Sequence, residues 1–290
     1  MSLLKTWIFQ IPTLIRFWIS LAVTFSAATG YIVSSGKIDS NFVFIITGVF
    51  LLAGGASALN QFQERKTDAL MERTKNRPIP SGKVSPLAGL IFSEIICLTG
   101  FFILLMTSGP LPALLGLFNL IWYNGLYTYL KKKTAFAVVP GSLTGVVPVF
   151  IGWTAAGGYL LNPTLIFISF FIFMWQIPHF WLLLIRYNDD YKKAGLGYLY
   201  RSLSKDQIKR LIFVWIITTS FTSLFFPYFG IIRSPFPVAS IVLLNIILIV
   251  VFYIVLFKKS EQINYRLGFL SINIFLILNM IFLLIEKLTV

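Results

Sequence analysis

Residues 60–80 of this 290-residue chain, NQFQERKTDALMERTKNRPIP, are dense in charge for a sequence with only ten acidic residues. Asn60, Glu64 and Asp68 are spaced four residues apart, so on a helix they share one face, about 6 Å apart. Their oxygens suit a hard divalent cation, and Mg²⁺ is commonly held by one or two carboxylates while substrate phosphates and waters complete its shell. The spacing therefore predicts a site for metal and phosphate.

Basic residues follow the acids directly. Arg73, Lys75 and Arg77 would contact the phosphates, because a guanidinium offers a two-point fork to phosphate oxygens. The plain alternative is a solvated loop whose charges of both signs only pair with one another. The helical spacing of the acids, and a second set of the same kind further along the chain, favour binding of metal and diphosphate.

The second set lies in WQIPHFWLLLIRYNDDYKKAG, residues 175–195. His179 is the only histidine in the chain, and ionisable groups inside a membrane are functional candidates by default. A lone histidine in an apolar helix is also often a hydrogen-bonded core residue, so both interpretations stay open, with function favoured. One stripe along a helix and its extension is formed by Trp175, His179, Arg186 and Asp190.

A third patch, YNGLYTYLKKKT at 123–134, ends in three lysines. In the simplest interpretation Lys131, Lys132 and Lys133 are anchors at the cytoplasmic boundary of the membrane. They would face the same surface as the two acidic stretches. They are therefore also candidates to neutralise a departing diphosphate.

Composition makes this chain a membrane protein. It is 57% hydrophobic and 12% charged, against about 25% charged in an average soluble domain. Apolar runs of about twenty residues recur along it, each long enough to cross the hydrocarbon core. The pattern predicts an all-α, polytopic fold, a single domain over residues 1–290 with nine transmembrane helices. Their expected ranges are 12–34, 41–60, 87–107, 111–130, 138–158, 162–184, 211–230, 236–257 and 266–285.

The distribution of Lys and Arg sets the expected orientation. With the N-terminus in the cytoplasm, 21 of the 24 basic residues fall on the cytoplasmic side, and only Lys37, Arg233 and Lys287 fall outside. The loops after helices 2 and 6 then form an active site on the cytoplasmic face of a plasma membrane. The net charge of +14 is thereby explained by topology and by anionic lipid, and nucleic acid is not expected as a partner.

Together the three patches predict a substrate with a lipid tail and a diphosphate head. Metal and bases would stabilise the departing diphosphate, so that an allylic C–O bond ionises or is displaced. A dry apolar cavity would protect the allylic cation from premature water, and aromatic faces would stabilise it. The small-residue segments AGGAS at 53–57 and GSLTG at 141–145 are expected to be close helix-packing faces.

At these residues the sequence resembles the UbiA superfamily of intramembrane prenyltransferases, and within it the branch that farnesylates haem. An Asn followed by two acids at four-residue spacing is the first shared motif, and a Glu at its middle position is more typical of the haem branch than of the quinone branch. The resemblance covers nearly the whole chain, but Arg16-Phe17-Trp18 stands where the family usually has Lys-Pro-Arg. The matching positions are Asn60, Glu64, Asp68, Met71–Pro78, 141–153, Trp175–His179 and Asp190–Tyr191.

The resemblance implies Mg²⁺-dependent transfer of a farnesyl group from farnesyl diphosphate to a vinyl group of haem B. Water would then quench the cation, giving haem O and diphosphate. Besides these two substrates, the implied partners are the lipid bilayer and haem-modifying or terminal-oxidase assembly proteins. Mg²⁺ and diphosphate would be held by the catalytic residues Asn60, Glu64, Asp68 and Asp190, with Asp189 as a further metal-ligand candidate. Phosphate oxygens would be contacted by Arg73, Arg77, Lys131 and Arg186, and haem by His179, Trp175 and Tyr127.

Other functions remain open on the sequence. A UbiA-type enzyme acting on a quinone precursor or a chlorin would differ only in its acceptor, and WQIPHF favours haem. A transporter would place its carboxylates near the bilayer midplane, whereas here they cluster at one face. A non-catalytic haem-handling scaffold that uses only His179 would leave the acids at 60–68 without a purpose.

Overall fold

The structure is a computed structural model that describes residues 3–196, 203–258 and 264–289. Every regular element within these ranges is a helix, as the apolar runs predict. The parts of two expected cytoplasmic loops at 197–202 and 259–263 lie outside the described residues. The α-helices are α1 (Leu3–Leu14), α2 (Phe17–Ser35), α3 (Ser40–Asp68), α4 (Pro86–Ser108), α5 (Pro110–Ile121), α6 (Thr128–Lys133), α7 (Val138–Gly141), α8 (Leu143–Ala155), α9 (Pro163–Arg186), α10 (Asn188–Lys193), α11 (Lys205–Ser223), α12 (Phe225–Tyr228), α13 (Pro235–Phe257) and α14 (Tyr265–Thr289).

Within the described ranges, eight stretches of helix are long and apolar enough to cross a membrane, so this is a multi-pass membrane protein. The expected count of nine is therefore not confirmed by helix length. The eight stretches are Phe17–Ser35, Ser40–Asp68, Pro86–Ser108, Ala135–Ala155, Pro163–Arg186, Lys205–Tyr228, Pro235–Phe257 and Tyr265–Thr289.

The expected helix at 111–130 is the one missing from that set. The chain is helical from Pro110 to Lys133, but a π-helical turn at Trp122–Tyr127 separates α5 from α6. No single piece of this run is as long as 18 residues. The run begins directly after α4 and ends beside the last turns of α3, so it still passes from one end of the bundle to the other. Such π-turns occur frequently at functional sites.

Side-chain caps begin several of the membrane helices. The Ser85 hydroxyl accepts the Ala88 N–H at 3.3 Å, and Pro86 occupies the first turn of α4, where a missing N–H costs nothing. The Asn162 Oδ1 atom accepts the Thr164 N–H at 2.9 Å at the start of α9. Each cap satisfies a backbone donor that would otherwise be unpaired near the membrane.

Small residues let α3 and α4 pack closely. A Cβ atom placed on Gly55 would lie 2.3 Å from the Cys97 sulfur, and one on Gly100 would lie 2.6 Å from the Gly48 carbonyl oxygen. The expectation for 53–57 is thus met at Gly55. The 141–145 segment differs, because its two glycines make room for single side chains from other helices. A Cβ at either position would lie 2.5 Å from the facing side chain, which is Tyr127 for Gly141 and Gln176 for Gly145.

Candidate active site

A cavity of about 270 Å³, here called the chamber, lies between α2, α3, α5, α8 and α9. Charged side chains from α3, α6 and the loop after α3 gather at one end, here called the mouth. The rest of the chamber is mainly apolar, with walls that include Val49, Leu52, Leu120, Pro148 and Ile151. The charged lining side chains are Arg16, Glu64, Asp68, Arg73, Arg77 and Lys131.

The last turns of α3 bury three oxygen-bearing side chains. Asn60 and Asp68 are fully buried and Glu64 is 4% exposed. Glu64 and Asp68 both line the chamber, while Asn60 lies behind them against α2 and the π-turn. Burial of two carboxylates together is costly unless each is paired.

Each of these three side chains is held by a base from a different part of the chain. Asp68 Oδ2 accepts from Arg77 Nη1 at 2.7 Å, and Glu64 Oε2 accepts from Lys131 Nζ at 2.7 Å. Asn60 Oδ1 accepts from Arg16 Nη2 at 2.8 Å, while its amide nitrogen donates to the Thr128 hydroxyl. The fold thus joins the first and third charged patches of the sequence at one point.

The bases at the mouth outnumber the acids. Four basic and two acidic side chains line it, a net charge of +2 before any ligand binds. Burial lowers the pKa of Arg77 to about 10, with repulsion from Arg16 as the next cause and attraction to Asp68 opposing both. The Arg77 guanidinium therefore stays charged at neutral pH, and the mouth is suited to an anion.

One oxygen of each buried carboxylate is free. Glu64 Oε1 and Asp68 Oδ1 are buried and have no hydrogen-bond partner. Two such oxygens beside an amide fit a divalent cation whose remaining ligands come from phosphate and water. No group of three or more His, Cys, Asp or Glu side chains converges anywhere in the described part of the chain. The free oxygens that face the chamber therefore belong to Glu64 and Asp68, while the Asn60 oxygen already accepts from Arg16.

Asp190 joins the two acidic loops. Its carboxylate accepts the backbone N–H of Glu72 at 3.3 Å and that of Arg73 at 3.2 Å. It therefore ties the start of α10 to the loop that carries Arg73 and Arg77. Asp189 is exposed, and its Oδ1 atom accepts from the neighbouring Asn188 amide. The structure thus brings Asp190, and not Asp189, against the loop that follows α3.

Arg73 and Arg186 both contact the ring of Tyr187, with guanidinium carbons 4.7 and 5.3 Å from its centroid. Arg73 lines the chamber, whereas Arg186 is exposed and is not among the lining residues. Of the four predicted phosphate contacts, the structure places three at the mouth: Arg73, Arg77 and Lys131.

Tyr127 is the predicted acceptor contact that lies inside the chamber. Its ring lies 5.5 Å from Lys131 Nζ and stacks on Tyr123 with centroids 5.9 Å apart. The ring centroid of Phe180, on α9, lies 6.4 Å from that of Tyr127. Aromatic faces therefore stand directly below the charged mouth.

The other two predicted acceptor contacts point away from the chamber. Trp175 Nε1 donates to the Ile272 carbonyl of α14 at 2.7 Å, and the His179 ring lies 4.8 Å from that of Phe269, also on α14. The ring centroids of Trp175 and His179 lie 4.6 Å apart, with the rings tilted by 36°. The Nδ1 atom of His179 is buried without a partner. The chamber face of α9 carries Gln176 and Phe180 instead.

Arg16 is a site residue that the sequence patterns did not single out. It joins α1 to α2 in a left-handed conformation, φ 48° and ψ 58°, and no other non-glycine residue in the described ranges has a positive φ. Such strain costs roughly 1–3 kcal/mol and clusters at functional sites. Its guanidinium reaches Asn60 and, at 3.2 Å, the Tyr123 hydroxyl. The available signal was its place in the resemblance, where Arg16-Phe17-Trp18 stands for the Lys-Pro-Arg of the family.

Curated relatives match most of the chain. A protoheme IX farnesyltransferase from Nitratidesulfovibrio vulgaris (strain DP4) is 34% identical over 225 residues, which are 78% of this chain and 78% of the relative. A protoheme IX farnesyltransferase from Christiangramia forsetii (strain DSM 17595) is 33% identical over 273 residues, 92% of this chain and 89% of the relative.

Solved structures share the fold at low identity. A structure of digeranylgeranylglyceryl phosphate synthase superposes with a TM-score of 0.75 at 17% identity, covering 100% of both chains. A UbiA homologue from Archaeoglobus fulgidus bound to GPP and Mg²⁺ superposes with a TM-score of 0.71 at 14% identity, covering 97% of this chain and 100% of that one. The UbiA prenyltransferase family itself matches residues 18–275. With fold and sequence in agreement, this chain belongs to the UbiA prenyltransferase family and is an enzyme of the prenyltransferase class.

Proposed function

We propose that this protein transfers the farnesyl group of farnesyl diphosphate to a vinyl group of haem B, with Mg²⁺ as cofactor and addition of water. The products are haem O and diphosphate. The observation that carries the proposal is the set of paired acids and bases at the mouth of an apolar chamber, with Glu64 Oε1 and Asp68 Oδ1 left free. The curated relatives named protoheme IX farnesyltransferase support haem as the acceptor.

The diphosphate head binds at the mouth. Arg73, Arg77 and Lys131 contact its oxygens, and the net charge of +2 there favours an anion. Glu64 and Asp68, with Asn60 nearby, would hold Mg²⁺, which would supply neutralisation of charge on the departing diphosphate. Asp190 holds the backbone of the loop that presents Arg73. Arg186, at the surface, attracts the anion toward the mouth, and Asp189, also at the surface, is the further candidate for a metal ligand.

The farnesyl tail occupies the apolar part of the chamber. Exclusion of water there protects the allylic carbon once its bond to oxygen weakens. The faces of Tyr127, Tyr123 and Phe180 lie next to the mouth and stabilise positive charge on that carbon. The chain thus supplies positioning and electrostatics, and the leaving group departs as diphosphate with the bonding electron pair.

The acceptor carbon then forms the new bond. The terminal vinyl carbon of haem B attacks C1 of the farnesyl group, and the positive charge moves to the inner vinyl carbon. Water adds to that carbon and releases one proton to solvent. We assign haem contact to Tyr127 inside the chamber and to His179 and Trp175 on the α14 side of α9, where the unpartnered His179 Nδ1 is available as an axial ligand.

We also propose that the protein lies in the plasma membrane with its N-terminus and the mouth facing the cytoplasm. The excess of Lys and Arg in the loops assigned to that side supports this orientation. Proteins that modify haem or assemble terminal oxidases are the proposed partners, because haem O must be handed on within the membrane.

The test uses purified protein in detergent with haem B, farnesyl diphosphate and Mg²⁺, and mass spectrometry of the extracted haem. We expect a haem that has gained farnesyl plus water, and we expect its loss on addition of chelator. A quinone precursor and a chlorin are supplied in parallel reactions. Prenylation of either of these without any haem product would overturn the acceptor and leave the diphosphate chemistry in place.

A further inference from the structure

Two carboxamide oxygens lie unpaired in the apolar part of the chamber. Gln176 is only 9% exposed, lines the chamber, and has no hydrogen-bond partner for its Oε1 atom. Asn119 also lines the chamber; its amide nitrogen donates to the Thr144 carbonyl at 3.1 Å, and its Oδ1 atom has no partner. A buried acceptor without a donor costs free energy, so a ligand with O–H or N–H groups is expected at this point.

Both carboxamides border the same short segment. The Gln176 amide is the nearest group to Gly145, where a Cβ atom would lie 2.5 Å from it. The Asn119 amide binds the carbonyl of the preceding residue, Thr144. Two carboxamides from α5 and α9 border this dipeptide, each with an unpaired oxygen. They suit a small donor such as water, which can donate to both while its lone pairs point elsewhere.

Two glycines show how far Gln176 and Asn119 lie from the mouth of the chamber. Gly141 faces Tyr127, and Gly145, one helical turn or about 6 Å further on, faces Gln176. Tyr127 in turn lies 5.5 Å from Lys131 Nζ at the mouth. Gln176 therefore lies deeper in the chamber than Tyr127, on the side away from the mouth.

We propose that Gln176, assisted by Asn119, is the positioning residue for the water that captures the cation after farnesyl transfer. The inference rests on the proposed function and deepens it. The held water forms a C–O bond to the inner vinyl carbon, whose positive charge it neutralises, and one water proton passes to solvent. Without a held water the same cation loses a proton from carbon and gives an alkene that is lighter by one water.

The test measures how the product divides between these two outcomes. Gln176→Met, which keeps side-chain length and removes the acceptor, is incubated with haem B, farnesyl diphosphate and Mg²⁺, and the farnesylated haems are separated by mass. We expect the ratio of dehydrated to hydrated product to rise about tenfold or more over wild type, as misplaced reacting groups commonly cause. A role in packing alone would slow the reaction without changing that ratio.

Gln63→Met is the matched control. Gln63 exchanges two hydrogen bonds with Asn124 and does not line the chamber, so we expect the wild-type ratio whatever the loss of stability. An unchanged ratio in Gln176→Met would overturn the inference, and Asn119→Leu with the same readout decides the matter if Gln176→Met does not fold. Wild-type protein that makes no farnesylated haem would instead overturn the proposed function itself.

Discussion

The Nζ atom of Lys131 lies 2.7 Å from Oε2 of Glu64, joining two residues that are 67 positions apart in the chain. Glu64 is almost fully buried, and the lysine is the base that compensates its charge. A second pair, Asp68 with Arg77, repeats the arrangement across the loop that follows α3. In the proposed reaction these bases face the phosphates, so each pair has both a structural and a catalytic consequence.

Replacing Lys131 by Met should lower kcat/KM for farnesyl diphosphate by about 10- to 150-fold, since hydrogen bonds to charged groups contribute about 1.5–3 kcal/mol. Glu64 would also lose its partner, which should lower the thermal unfolding midpoint. Lys133→Met, at an exposed position two residues away, is the control and should behave like wild type. Equal kcat/KM values for Lys131→Met and Lys133→Met would contradict the assignment of Lys131 to phosphate binding.

Asp68→Asn should reduce turnover by about 100-fold or more, because it removes one of the two carboxylates at the mouth and leaves Arg77 without its counter-charge. The Mg²⁺ concentration needed for half-maximal rate should rise as well. The comparison is Asp206→Asn, an exposed acid in the first turn of α11. Undiminished activity of a folded Asp68→Asn protein would remove the metal and diphosphate site from α3.

Asp190 allows its two proposed roles to be separated. It accepts two backbone N–H groups, so Asp190→Asn, which retains one acceptor oxygen, should keep more activity than Asp190→Ala. As a metal ligand, its conversion to Asn should instead raise the Mg²⁺ requirement about as strongly as Asp68→Asn does. Asp189→Ala should be close to wild type in rate, since Asp189 is exposed and accepts from the neighbouring Asn188 amide.

Chelation should separate activity from stability. Because Arg77 and Lys131 pair with the two carboxylates, EDTA should abolish prenyl transfer while leaving the thermal unfolding midpoint within a few degrees of its starting value. Added Mg²⁺ should restore the rate. Full activity in excess chelator would rule out metal dependence.

The proposed role of His179 as a ligand of haem iron is best tested by spectroscopy. If its free Nδ1 atom ligates haem iron, His179→Ala should shift the Soret band of the haem-loaded protein, and added imidazole should restore it. His179→Phe keeps an aromatic ring against Trp175 and Phe269 but removes the nitrogen, so it should show the same shift and separates ligation from packing. An identical spectrum for wild type and His179→Ala would exclude the axial role.

The apolar runs and the placement of charge were sufficient to predict a polytopic helical protein, because the bilayer demands long helices with satisfied backbones. The four-residue spacing from Asn60 to Asp68 was also sufficient to place three oxygens on one helix face. The one expected membrane helix that helix length did not confirm is the one at 111–130. There the π-turn interrupts a run that hydropathy alone describes as continuous. Hydropathy shows how apolar a stretch is, and it does not show where the hydrogen-bond pattern of a helix changes.

Side-chain direction and long-range pairing were decided by the tertiary structure. Trp175, His179 and Arg186 keep the spacing of one face of α9, whereas Asp190 lies beyond it on α10. Packing turns His179 toward α14 and Gln176 toward the chamber. The bond of Arg16 to Asn60 and the pairing of Lys131 with Glu64 could not be predicted from the local sequence, since both depend on how α1, α3 and α6 meet. Local periodicity determines which residues share a face, and only the packing of helices against one another determines what that face meets.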